Sequence, residues 1–167
     1  GAFFIRRKFD DDLYKITFQG YIYYLLHSNK VVEFFFEGGR TRTGKLLPPK
    51  YGLFSMILDA HSKFGADKKP LMFIPVSIAH EHIPEEAAHA KELSGAKKQK
   101  EKPTQLLKLF KLFNKKLGTV HVKFGDGIII DKEVTDLKQE TQDLAFKCFR
   151  QVGQGMLITP SSLLTLI

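Results

Sequence analysis

Apolar runs of strand length alternate along this chain with stretches of helical periodicity, and that alternation limits it to an α/β arrangement more firmly than any other feature does. Residues 2–5 form a first short strand. Asp10, Asp11 and Asp12 offer caps to a helix running to about Ser28, with Tyr14, Phe18, Tyr21 or Ile22, and Leu25 on its buried side. Val32 to Phe36 is a second, buried strand. Leu53, Met56, Ile57, Ala60 and Phe64 recur at helical spacing, Leu71 to Ala79 is a third strand, and Thr119 to Phe124 alternates polar and apolar residues before a turn at Gly125, Asp126 and Gly127. A closing helix spans Asp136 to Val152, with Leu137, Leu144, Ala145, Cys148 and Phe149 inward and Gly153 as its stop. The pattern predicts a largely parallel sheet flanked by helices, one domain over residues 1–167, truncated at both ends. The chain opens on Gly1 rather than Met, and Thr159 and Pro160 begin a helix that Ile167 leaves unfinished, so an internal piece of a longer protein is expected.

The apolar fraction of 43% suits a packed core, and no apolar run approaches the roughly 20 residues of a spanning helix. A single cysteine, Cys148, forms no internal disulfide and builds no multi-thiolate site; on an inward helical face it reads as a small core residue rather than a covalent nucleophile. His80 and His82 share one strand face but lack further ligands, so no metal is expected. The net charge of +8 is concentrated between Lys91 and Lys116, where nine lysines face only Glu92 and Glu101. Residues 94–104 predict a basic connector. Gln105 to Leu117 predicts an amphipathic helix, with Leu106, Leu109, Phe110, Phe113 and Leu117 on one face and Lys108, Lys111, Lys115 and Lys116 around the other. Such a helix either packs on the core or lies on an anionic membrane surface.

The densest chemistry lies between Glu37 and Lys45, where three glycines, three cations and two hydroxyl residues follow a strand. Glycines let backbone N–H groups approach an anion, and arginine forks chelate phosphate oxygens. Gly39 to Lys45 fits the first seven places of a nucleotide P-loop, but Leu46 replaces the hydroxyl residue that holds Mg²⁺ and Pro48 and Pro49 forbid the helix that should follow. A second cationic group, Arg6, Arg7 and Lys8, sits at the end of the first strand. Two strand ends of one parallel sheet aim such cations into a common crevice, which points to a phosphorylated small molecule.

These residues resemble the glycerol-3-phosphate acyltransferase family, including the dihydroxyacetone-phosphate enzymes. Gly1 to Arg7 is similar to the block G-x-x-F-I-x-R, with Arg7 at the arginine position. Phe36 to Lys45 is similar to the E-G-x-R loop, with Arg42 as a second arginine marking this branch, and Phe73 to Ile78 resembles the block that places a proline at Pro75. The resemblance continues through Glu81 and His82, Lys91 to Lys97, and Gly118 to Gly125. It implies transfer of a fatty acyl group from acyl-CoA or an acyl carrier protein to the sn-1 hydroxyl of glycerol 3-phosphate, with dihydroxyacetone phosphate as the alternative acceptor. It further implies acceptor binding by Arg6, Arg7, Glu37, Gly38, Gly39, Arg40, Arg42 and Pro75, no cofactor beyond the thioester co-substrate, and a peripheral position on the cytoplasmic face of a membrane. The family's H-x-x-x-x-D block, which supplies the general base, is missing. Of six histidines only His121 has an aspartate five residues on, Asp126, and it lies downstream of the other blocks. No catalytic residue is therefore assigned within this chain. The competing non-enzyme reading, a basic nucleic-acid-binding module, lacks aromatic interleaving among its lysines and any reader motif, so no nucleic-acid partner is expected.

Overall fold

A computed structural model describes residues 2–6, 9–39, 45–65, 69–81, 118–131 and 133–158. The connector at 94–104, the amphipathic segment 105–117 and the start of the terminal helix at 159–160 lie outside the described residues. The chain divides into two compact units, one comprising residues 1–39, 47–74 and 127–150, the other residues 40–46, 75–126 and 151–167.

In the first unit, α1 (Asp12–His27) begins where expected, because the Asp11 carboxylate accepts from the Tyr14 backbone N–H at 3.2 Å and Asp12 adds an anion to the first turn. Its buried side is Phe18 and Ile22; Tyr21 is partly exposed and packs edge-on against Phe3, with ring centroids 5.3 Å apart. The next helix, α2 (Gly52–Ser62), buries Phe54, Leu58 and His61 in addition to the expected Ile57 and Ala60. The reason is that α2 serves two clusters. Ile57 and Ala60 join Phe18 and Ile22, while Phe54 and Leu58 join Leu144, Ala145 and Cys148 of α3 (Leu137–Gly155). Each fully buried side chain of this size contributes roughly 1.5–3 kcal/mol over its exposed state. The expected start of α3 holds as a cap, since Asp136 Oδ1 accepts from the Gln139 N–H at 3.0 Å and Glu140 Oε1 from the Thr135 N–H at 2.9 Å. The helix passes Gly153 and ends at Gly155.

The expected strands at residues 2–5 and 32–36 join no ladder among the described residues, and Phe36 already lies in a turn. They are held by side chains instead. Phe34 packs edge-on against Phe54 at 5.1 Å between centroids, Phe36 lies against the same ring, and Phe3 packs against Phe18. The expected strand from Leu71 to Ala79 breaks in two at Ile74 and Pro75, since proline brings no N–H to a ladder. Its first part, β1 (Leu71–Phe73), pairs with β4 (Ile128–Ile130) in the first unit, Met72 opposite Ile129. Its second part, β2 (Val76–His80), pairs with β3 (Val120–Phe124) in the second unit, Ile78 opposite Val122. Both ladders are antiparallel, where a largely parallel sheet was expected. Along β3 the apolar residues Val120, Val122 and Phe124 are exposed and only His121 is partly covered, so the alternation read from the sequence marks the strand but not a buried face. A mixed α/β composition stands.

Candidate functional site

The Glu37 loop is built on two stem contacts within the first unit. Phe36 accepts from the Lys50 backbone N–H through its carbonyl at 2.7 Å, and one residue further on the Glu37 carboxylate, through Oε2, accepts from the Leu47 N–H at 2.7 Å. Gly38 turns the outgoing leg with φ +66°, in the left-handed region that glycine enters without steric cost. A Cβ at that position would lie 2.9 Å from Lys50 Cγ, so the lysine stem passes directly beside the turn. On the returning leg Pro48 and Pro49 separate the two stem contacts and fix two φ angles.

Among the expected acceptor-binding residues, the structure thus brings Glu37 and Gly38 into one stem, with Gly39 exposed immediately beyond. Arg7, Arg40 and Arg42 lie outside the described residues. Arg6 is engaged at the start of α1: its guanidinium pairs with Asp11 at 3.3 Å and lies 4.7 Å over the Tyr14 ring, while its backbone N–H donates to the Tyr14 hydroxyl at 3.0 Å. An exposed pair of this kind contributes about 0–1 kcal/mol, so its main effect is to fix the segment before α1. Pro75 belongs to the second unit, where it is buried and its carbonyl accepts from the Gly125 N–H at 2.8 Å.

Three further groups escaped the sequence. In the second unit Glu81 accepts from the Thr119 N–H at 2.8 Å and faces His121 Nε2 at 3.7 Å; the Thr119 hydrogen bond, with His121 beside it, holds the Glu81 carboxyl below its usual range. In the same unit a cavity of about 220 Å³ is lined by Ser77, Ala79, His121, Lys123, Gly155 and Leu157, and the Ser77 hydroxyl donates to the Val152 carbonyl at 2.7 Å. In the first unit His61 is buried, and its Nε2–H donates to the Lys69 carbonyl at 2.6 Å, tying α2 to the approach of β1. None of these partners is adjacent in sequence, so no motif announces them. Cys148 is buried and desolvation pushes its thiol up to about 11, which leaves almost no thiolate near neutrality.

Comparison with known proteins connects the two ends of the chain to one enzyme class. Residues 1–79 match the family described as Acyltransferase, and residues 89–167 match the Glycerol-3-phosphate acyltransferase C-terminal region. The chain is 45% identical over 129 residues to a glycerol-3-phosphate acyltransferase of Glaesserella parasuis serovar 5 (strain SH0165), covering 77% of this chain and 16% of that protein. It is 40% identical over 147 residues to a glycerol-3-phosphate acyltransferase of Pasteurella multocida (strain Pm70), covering 85% of this chain and 18% of the relative. The chain thus spans less than a fifth of the length of either relative. No solved structure matches it.

Proposed function

The chain belongs to the glycerol-3-phosphate acyltransferase family, and from that premise we propose that it forms the acceptor-binding part of an enzyme acylating the sn-1 hydroxyl of glycerol 3-phosphate. The observation that carries the reading is the pair of stem contacts, Phe36 with Lys50 and Glu37 with Leu47, which close the sequence interval that contains Arg40 and Arg42. Guanidinium groups recognise phosphate oxygens through paired, charge-assisted hydrogen bonds. The acyl group is supplied as a thioester of coenzyme A or of an acyl carrier protein, with no further cofactor. As the thioester carbonyl is attacked, the acceptor hydroxyl gives up its proton to a general base. That base belongs to a part of the enzyme other than this chain, since Cys148 is buried and protonated and His121, though Asp126 stands five residues on, lies downstream of the other blocks and faces Glu81.

The product is a lipid, and the lysines between residues 91 and 116 suit an anionic surface, so the enzyme works at the cytoplasmic face of a membrane as a peripheral protein. Among the described residues no helix is long and apolar enough to cross a membrane. The test of the acceptor assignment is Arg40→Ala in the longer enzyme. Loss of a charge-assisted contact, about 1.5–3 kcal/mol, should raise the acceptor KM by roughly one to two decades while the donor KM stays within a small factor. An effect confined to the donor would place the phosphate elsewhere.

A further inference from the structure

We propose that Glu37 is a positioning residue, whose carboxylate holds residues 37 and 47 together through the Leu47 backbone N–H and does not itself touch the acceptor. The proposal rests on the acceptor-binding reading above. A carboxylate has no hydrogen to donate to a phosphate and repels its charge, so a glutamate at the head of a phosphate-binding loop needs another task. The structure supplies one: Oε2 lies 2.7 Å from the Leu47 nitrogen in a part-buried setting, where a charge-assisted hydrogen bond is stronger than in open solvent.

The geometry shows why a side chain is used here. Phe36 and Lys50 already close the stem by a backbone hydrogen bond at 2.7 Å. One step outward the two legs are no longer symmetric, because residues 37 and 47 face each other across a return leg that contains Pro48 and Pro49. Prolines offer no N–H, so a ladder cannot continue through them, and the next available donor is the Leu47 amide. Glu37 reaches that donor with its side chain. It thereby fixes residues 37 and 47 relative to each other, with Gly38 making the turn immediately beyond the outgoing anchor.

Two readouts test this, one of them independent of acyl transfer. Amide hydrogen exchange at Leu47, measured by NMR or mass spectrometry in the longer protein, should be slow in the wild type, slow in Glu37→Gln, whose amide oxygen still accepts, and at least tenfold faster in Glu37→Ala. Steady-state kinetics should show Glu37→Ala raising the acceptor KM on the order of tenfold with an unchanged donor KM, the size expected from losing one charge-assisted hydrogen bond. Glu37→Gln should recover most of that loss. Equal damage by Gln and Ala in the acceptor KM, with Leu47 protection retained in Gln, would overturn the proposal and make the carboxylate a direct ligand. Equal Leu47 exchange in wild type and Glu37→Ala would overturn it without reference to catalysis. If Leu47 protection follows the predicted order but the wild type transfers no acyl group to glycerol 3-phosphate, the anchor stands and the acceptor assignment falls.

Discussion

Replacing Gly38 by alanine separates two costs that the structure places at one residue. The first is conformational: at φ +66° an L-residue with a Cβ pays roughly 1–2 kcal/mol against a right-handed or extended backbone. The second is steric, because the new Cβ would stand 2.9 Å from Lys50 Cγ. Lys50 is exposed and its stem is flexible, so it swings aside, and this second cost is small beside the first. Gly38→Ala should therefore lower stability by about 1–2 kcal/mol, read as a shift of the urea midpoint at constant slope. Gly38→Asn is larger but tolerates the left-handed region, and should cost less than alanine. Adding Lys50→Ala to Gly38→Ala should restore little. If asparagine proves worse than alanine, or if Lys50→Ala rescues Gly38→Ala, the contact with the lysine rather than the backbone angle governs the turn, and the reasoning fails.

Other outcomes follow from the same contacts. Leu58→Ala, fully buried between the α2 and α3 faces, should destabilise by about 2–5 kcal/mol, while Met72→Ala on the open side of β1 should cost far less in the same denaturation series. Glu81 has its folded-state pKa below the ordinary 4.5, so its contribution is present above that value and is lost as pH falls through the lower, folded one. The stability difference between the wild type and Glu81→Gln should accordingly shrink on acidification below 4.5; a difference constant with pH would contradict the assignment. Changing Lys108, Lys111, Lys115 and Lys116 together to glutamine should weaken sedimentation with anionic vesicles, at about 1 kcal/mol per cation, and equal sedimentation would instead favour a helix packed on the core.

The elements governed by local chemistry were legible in the sequence. The aspartate cap of α1 and the start of α3 at Asp136 need only side-chain oxygens near free amides, and the structure keeps both. What sequence periodicity understated was the burial of α2: a single apolar stripe predicts one covered face, whereas this helix lies between two clusters and buries Phe54 and Leu58 as well as Ile57 and Ala60. The direction of strand pairing was also misjudged. Apolar runs such as Leu71 to Val76 suggested parallel strands, but Pro75 divides that run, and its halves pair antiparallel with β4 and β3. Within the candidate site the glycines and cations identified the loop. Its anchor at Leu47 was invisible, because a backbone amide leaves no mark on the residue type.

The isolation of Cys148 gives the protein a built-in clock. It is the sole thiol in the chain, and it lies in the cluster formed by Phe54, Leu58, Leu144 and Ala145. A disulfide reagent added to the folded protein can reach that sulfur only when the cluster parts, so the modification rate measures how often it does so. Where reclosing outpaces reaction, each 1.4 kcal/mol of opening free energy slows modification about tenfold relative to the unfolded chain. Substitutions on α2 and α3 are thus ranked under native conditions by one signal, without denaturant and without an added label site.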